Sequence, residues 1–173
     1  SLRVGLATNH HPLRSVPDLL SGDTVVRKLK LFSQTLRDSF GIAKPRIAVC
    51  GLNPHASDKG LFGDEEETII APQVALAAAG GIDAEGPHSP EKAFYLALQG
   101  KVDGVLAMYH DQGLLPIKVS AFDDTVNLTG GLPFLRVSPD HGPVPDHYLT
   151  GEARLGSWRR SFAIATQYLK AHR

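Results

Sequence analysis

The sequence predicts an α/β fold with a largely parallel sheet, and three observations predict it. Short apolar runs at Val4-Gly5-Leu6-Ala7, Ile47-Ala48-Val49-Cys50 and Val105-Leu106-Ala107-Met108 read as buried strands. Stretches with helical spacing separate them, which is the alternation of βαβ units. Each run then delivers a histidine among polar residues: Thr8-Asn9-His10, Asn53-Pro54-His55, and Tyr109-His110-Asp111-Gln112-Gly113. Polar groups at the C-terminal mouth of a buried strand are where an open α/β sheet holds its ligands.

Residues 2–8 form the first expected strand, and 9–14 its exit loop, in which Pro12 pushes His11 toward an extended conformation. Val25, Leu29, Phe32, Leu36 and Phe40 then lie on one apolar stripe of a helix. Ser21 or Asp23 is placed to cap it, Gly41 to end it, and Arg27, Lys28, Lys30 and Arg37 to form its solvated face. Residues 46–52 are the second strand and 53–63 a long loop, with Gly60 and Gly63 giving backbone freedom. The acids Asp64-Glu65-Glu66-Glu67 could chelate a cation, but an acidic approach to a helix N-terminus explains them more simply.

Pro72 suits a first helical turn, Val74 to Ala79 continue it, and Gly80-Gly81 stop it. Gly86-Pro87-His88-Ser89-Pro90 reads as a turn, followed by a helix carrying Ala93, Phe94, Leu96 and Ala97. Residues 103–108 are the central strand. Beyond Gly113 come short apolar runs with embedded Lys118, Asn127 and Arg136, each of which alone could be a snorkelling surface residue. Asp140-His141-Gly142 stands in a proline-rich loop, and residues 156–170 form a closing helix with Trp158, Phe162, Ile164 and Leu169.

At 173 residues, with no Pro/Gly/Ser-rich linker, the chain is expected to be one structural unit. Its 18 basic and 18 acidic residues cancel, which argues against an electrostatic nucleic-acid partner. No apolar run approaches the roughly 18 residues of a membrane span, and no secretory leader pattern is present. Cys50 is the single cysteine, so no disulfide can form within the chain and a reducing cytoplasm is the expected location. Ser1 precedes the first strand almost directly, an abruptness expected of a processed chain or a fragment.

Three apolar runs in a parallel sheet would bring His10, His55 and His110 to one edge. A histidine at one strand end is ordinarily a hydrogen-bonded loop residue. Three in matching contexts read instead as neutral imidazole ligands of Zn²⁺ or a similar divalent ion with an open position. Asp111 is either an outer partner of a ligand imidazole or a helix-start cap. His11 reads as a loop residue, and His88, His147 and His172 as surface histidines.

The motifs Ala7-Thr8-Asn9-His10-His11-Pro12-Leu13-Arg14, Gly51-Leu52-Asn53-Pro54-His55-Ala56, Ala107-Met108-Tyr109-His110-Asp111-Gln112-Gly113 and Gly131-Leu132-Pro133-Phe134-Leu135-Arg136, with Asp140-His141-Gly142, resemble the 4-hydroxythreonine-4-phosphate dehydrogenases of vitamin B6 biosynthesis. The resemblance spans nearly the whole chain but only about the C-terminal half of a usual member, so the N-terminal half, with its substrate-binding His-Thr pair, is expected to be absent. It implies a three-layer α/β/α fold like that of isocitrate and isopropylmalate dehydrogenases. It implies metal binding by His10, His55 and His110 in a site shared across a homodimer. Lys118, Asn127 and Arg136 fall on the family's substrate-binding positions, with Lys118 and the three histidines as the catalytic set. The loop Asp140-His141-Gly142 is implied to approach a nicotinamide dinucleotide, with His141 shaping it. There is no GxGxxG, so an ordinary Rossmann site is not expected.

Two stretches depart from the family pattern. Asp-His-Gly is followed by Pro143-Val144-Pro145-Asp146-His147-Tyr148-Leu149 where Thr-Ala and then Asp-Ile-Ala-Gly are usual, and Glu91-Lys92 stands where Asp-Thr is common. The implied reaction is oxidation of 4-phosphooxy-L-threonine by NAD or NADP, with a divalent ion (Zn²⁺, or Mg²⁺ or Co²⁺) polarising the hydroxyl. The 3-oxo acid formed loses carbon dioxide to give 3-amino-2-oxopropyl phosphate. Lys118 and Arg136 suit an anionic phosphate or carboxylate, and Asn127 can orient a substrate oxygen or amine. Two alternatives stand beside it: a related dehydrogenase of a phosphorylated four-carbon sugar acid, and a metal-binding dimerisation half with no activity of its own.

Overall fold

A computed structural model of the chain describes residues 2–140 and 155–171. They fall into two compact units, Ser1–Pro116 and Ile117–Arg173. The sequence, lacking a linker, predicts one. The boundary lies inside a helix, so no change of composition marks it.

The first unit is built on four parallel strands, β1 (Val4–Leu6), β2 (Ile47–Cys50), β3 (Ala84–His88) and β4 (Gly104–Ala107), in the order β1-β4-β2-β3. Its helices are α1 (Val16–Leu20), α2 (Thr24–Phe40), α3 (Ala71–Ala79) and α4 (Pro90–Leu98); α5 (His110–Ala121) begins here and crosses the boundary. Successive strand residues point to opposite faces, and the core divides accordingly. Ile47, Val49 and Leu106 pack with Leu20, Leu29, Leu36, Val74 and Ala77 of α1 to α3. Ala48, Cys50 and Val105 pack with Ala93 and Phe94 of α4. Helices on both faces of a parallel sheet make the expected three-layer α/β architecture.

The helix read from the apolar stripe is α2, and Gly41 ends it in the left-handed conformation at φ 69°. Its start differs from expectation. Asp23 occupies the cap position but makes no cap hydrogen bond; it pairs with Arg27 at 2.8 Å. The free amides of Val25 and Val26 donate instead to Oε1 of the buried Gln73, at 2.8 and 3.2 Å, whose amide nitrogen donates to the carbonyls of Leu20 and Ile69.

Residues 86–88, read as part of a turn over 86–90, belong instead to the edge strand β3 (Ala84–His88), which has a cis Gly86–Pro87 peptide. An edge strand tolerates proline because one side of it pairs with nothing. At Gly86, φ is +142° and a Cβ would stand 2.5 Å from the Val49 carbonyl, so only glycine fits. The first of the runs after Gly113, through Lys118, is part of helix α5, which extends to Ala121, and Gly113 and Pro116, both poor helix formers, concealed it.

Arg46 and Asp103 tie the starts of β2 and β4. The carboxylate accepts the Arg46 amide at 2.9 Å and guanidinium bonds at 3.1 and 3.2 Å. The hydrogen bond from Arg46 holds the Asp103 carboxyl below its ordinary value, against a smaller opposing effect of burial. A depressed folded pKa contributes stability that is complete above the unfolded value, about 3.9, and is lost as pH falls through the folded one. Asp103→Asn is therefore expected to lower Tm at neutral pH and to flatten its acid limb, the two proteins converging in strong acid when thermal melts are recorded against pH.

In the second unit β5 (Val126–Thr129) pairs antiparallel with β6 (Arg136–Pro139), and α6 (Gly156–Ala171) packs on them. The buried Ser157 hydroxyl donates to the Thr125 carbonyl and accepts the Asp140 amide. Among the described residues no helix is long and apolar enough to cross a membrane.

Candidate active site

The loops after β1, β2 and β4 leave the same edge of the parallel sheet. β1 and β4 are neighbours, and their ladder continues past the strands: the Ala7 amide donates to the Ala107 carbonyl at 2.8 Å and the Thr8 hydroxyl to the Met108 carbonyl at 2.7 Å. That pairing brings the imidazoles of His10 and His110 together, with ring centroids 5.3 Å apart. Nδ1 of His110 lies 2.7 Å from Oδ1 of Asp111. A carboxylate only accepts, so Nδ1 is the donor, and in the neutral imidazole that leaves the lone pair on Nε2. Asp111 thus pairs with the His110 imidazole.

Gln112 is a positioning residue that the sequence reading missed. It is buried, accepts the Met108 amide at 2.7 Å and donates to the Gly51 carbonyl at 2.8 Å, so it cross-links the ends of β4 and β2. Only its place between the histidine motif and the glycine could have signalled it. Gly113 lets α5 close on β1 and β4: a Cβ there would stand 2.5 Å from Leu6 and 3.1 Å from Val4.

His55 sits differently. Residues His55, Ala56, Ser57, Asp58 and Lys59 all have positive φ, between 43° and 66°, and the His55 ring lies 6.2 Å from that of Phe62. The acidic stretch before α3 is more than a helix approach, because Glu66 is buried and accepts the amides of Leu52 and Asn53. Glu91 at the head of α4 has its carboxyl held low by Ser89, then by its own backbone amide, with His55 adding a smaller electrostatic contribution. Among the described residues no group of three or more His, Cys, Asp or Glu side chains is placed to hold a metal. One chain unites His10 with His110 and leaves His55 apart.

Two imidazoles on a tetrahedral Zn²⁺, with Zn–N of about 2.0–2.1 Å, have ring centroids about 5 Å apart. The 5.3 Å of His10 and His110, with Asp111 on Nδ1 of His110 and its Nε2 left for a ligand, fits that arrangement. Beside the pair lies a cleft of about 180 Å³ lined by His11, Leu13, Val16, Tyr109, His110 and Asp111. Whole-ligand pockets run to roughly 300–1,000 Å³, so this cleft suits a small polar group. His11, read as a loop residue, is one of its walls. Cys50 stands outside this chemistry: burial first, then Glu91, pushes its thiol up to about 12, leaving essentially no thiolate at neutral pH.

The other expected site residues belong to the second unit. Register pairs Asn127 with Ser138 and Thr129 with Arg136, which puts Asn127 and Arg136 on one face of the two-stranded ribbon. Both are exposed, and Arg136 donates to the Thr129 hydroxyl at 2.9 Å. Lys118 is partly buried, with its ammonium 2.9 Å from the Asp140 carboxylate, bonded to the Asp140 carbonyl, and 5.1 Å from the Phe122 ring centre. Asp140, expected at the cofactor, is therefore the partner of Lys118. His141 and Gly142, the rest of the expected cofactor set, lie outside the described residues, as do His147 and His172. His88, expected at the surface, closes β3 with its side chain 17% exposed and 3.4 Å from Glu85.

A family model described as pyridoxal phosphate biosynthetic protein PdxA matches residues 1–165. A curated relative from Ralstonia nicotianae, named 4-hydroxythreonine-4-phosphate dehydrogenase, is 50% identical over 166 residues, covering 96% of this chain and 49% of its own. Another, from Salmonella typhi and provisionally named a D-threonate 4-phosphate dehydrogenase, is 45% identical over 166 residues, 96% of this chain and 50% of its own. A crystal structure of 4-hydroxythreonine-4-phosphate dehydrogenase from Klebsiella pneumoniae superimposes with a TM-score of 0.86 at 42% identity, covering 96% of this chain and 51% of that one. The chain spans about half the length of the curated relatives it matches. With the family model matching nearly its whole length and the dehydrogenase fold shared, the chain belongs to the PdxA family of pyridoxal phosphate biosynthetic proteins.

Proposed function

We propose that this chain is the metal- and substrate-binding half of a dehydrogenase that oxidises 4-phosphooxy-L-threonine with NAD or NADP, yielding a 3-oxo acid that decarboxylates to 3-amino-2-oxopropyl phosphate. The observation that carries the proposal is the His10–His110 pair, 5.3 Å between rings, with Asp111 on the Nδ1 side of His110. A bound divalent cation supplies Lewis-acid polarisation of the substrate hydroxyl. His10 and His110 hold it, and His55 is the third ligand, contributed by a second copy of the chain. Asp111 fixes the His110 tautomer and orientation.

Lys118 has three N–H donors. Asp140 takes two of them, which leaves one for a substrate anion. Arg136 binds a phosphate or carboxylate through its fork, and Asn127, on the same face of the ribbon, orients a neighbouring oxygen or amine. Asp140, with His141 and Gly142, would hold the nicotinamide dinucleotide. The homodimer is supported by apolar side chains left on the surface, Leu115 at 65% and Val119 at 81% exposure on α5 and Trp158 and Phe162 on α6, which a second copy would cover. A buried free thiol suits a reducing cytoplasm.

A second reading keeps this chemistry with a phosphorylated four-carbon sugar acid as substrate. Glu91-Lys92 at the head of α4 and the Salmonella relative's name favour it. Steady-state formation of NADH or NADPH by the Zn²⁺-loaded chain, with each phosphorylated acid in turn, tests both. Turnover abolished by a chelator and restored by Zn²⁺ is expected, with the higher kcat/KM naming the substrate. Bound metal without turnover on either acid would leave a metal-binding dimerisation half, and turnover indifferent to chelation would contradict the proposal.

A further inference from the structure

We propose that Glu66 is the positioning residue for His55, its buried carboxylate holding in place the strained turn that presents the imidazole. This rests on the reading of His55 as a metal ligand. His55 to Lys59 are five consecutive non-glycine residues with positive φ. Each is disfavoured because an L residue's Cβ crowds the following carbonyl there, and such backbone persists only where its surroundings over-determine it. The restraint is visible at the root of the turn. Glu66 is 2% exposed, its Oε1 accepts the amides of Leu52 and Asn53 at 2.7 Å each, and its Oε2 accepts the Asn53 side-chain amide at 2.9 Å.

The backbone makes room for this carboxylate. A Cβ on Gly51 would stand 2.8 Å from Glu66 Oε1 and 3.0 Å from Ala56. A Cβ on Gly63, where φ is +125°, would stand 2.6 Å from both Asn53 and Glu65. The middle of the turn is tied too: Ser57 is buried, and its carbonyl accepts the Phe62 amide at 3.1 Å. Gln112 joins the Gly51 carbonyl to the Met108 amide, so Glu66 belongs to a continuous hydrogen-bonded path between the root of the His55 turn and the segment that carries His110. A carboxylate serving only the start of a helix would have no reason to bond the exit of β2.

The test uses Co²⁺ titration of the chain, read by its visible absorption, together with hydrogen exchange of residues 52–62. Glu66→Ala is expected to weaken Co²⁺ binding about 10–100-fold, the range for outer partners of ligands. It should also alter the Co²⁺ spectrum and speed exchange at Leu52 and Asn53, with β4 protection unchanged. Glu66→Gln, which keeps an acceptor for both backbone amides, should restore most of the affinity. If Glu66→Ala does not fold, Glu66→Asp, one methylene too short to reach both amides, is expected to show the same losses. Parent-like Co²⁺ binding in the folded Glu66 variant, while His55→Ala binds weakly, would overturn the positioning role alone. Parent-like binding in His55→Ala would overturn the ligand reading beneath it.

Discussion

Alanine at His110 is expected to lower Zn²⁺ or Co²⁺ affinity by more than about 100-fold and to abolish dehydrogenase turnover, with the far-UV circular dichroism unchanged. Removing an outer partner of a metal ligand costs about 10–100-fold, and removal of the ligand itself should exceed that. Asp111→Asn supplies the internal comparison. It keeps a side chain of the same size beside His110 Nδ1 but removes the charge that favours the Nδ1–H tautomer, so a loss within the 10–100-fold range is expected. The His110 side chain is 36% exposed and stands at the first position of α5, so its loss removes little packing. Competition with a chromophoric chelator measures both affinities. A His110→Ala chain that binds Zn²⁺ like the parent would contradict the assignment.

The second large effect is on stability. Leu106 is 1% exposed in β4, between β1 and β2, and faces the α1–α3 side of the sheet. Leu106→Ala is expected to cost about 2–5 kcal/mol, since the lost transfer energy adds to that of a cavity which a strand paired on both sides cannot close. For a unit of this size that is on the order of 10 °C or more in Tm. Leu76→Ala, on an exposed position of α3, should change stability by no more than about 0.5 kcal/mol. Chemical denaturation of the two variants gives both numbers, and a loss below about 1 kcal/mol at Leu106 would show that the core is not organised around β4.

What was legible in the sequence follows from what each signal encodes. Buried parallel strands and the α2 stripe are local patterns, and both stand in the structure within a few residues of their expected bounds. The meeting of His10 with His110 was legible in outline, because a parallel sheet aligns its strand ends. The features that escaped depend on partners distant in sequence. Gln73 caps α2 from 48 positions away, and Glu66 reaches back 14 to the Leu52 amide. Edge-strand status excuses the proline of β3, and no local pattern reports which strand lies at an edge.

The placement of His55 depends on more than strand order. β2 neighbours β4, so strand order alone carries His55 toward the other two histidines, but a left-handed turn decides where its ring goes. No glycine at residues 55–59 announces that turn. Lys118 was legible as a cation in an apolar run, and its neutralisation by Asp140 was not, since helix and ribbon must both form before the two meet.

X-ray absorption at the zinc edge of the Zn²⁺-loaded chain tests the metal assignment most directly. The account predicts three imidazole nitrogens at about 2.0–2.1 Å, falling to two in His10→Ala and in His110→Ala. A coordination shell without imidazole scattering, or one unchanged when His10 and His110 are both replaced, would contradict it.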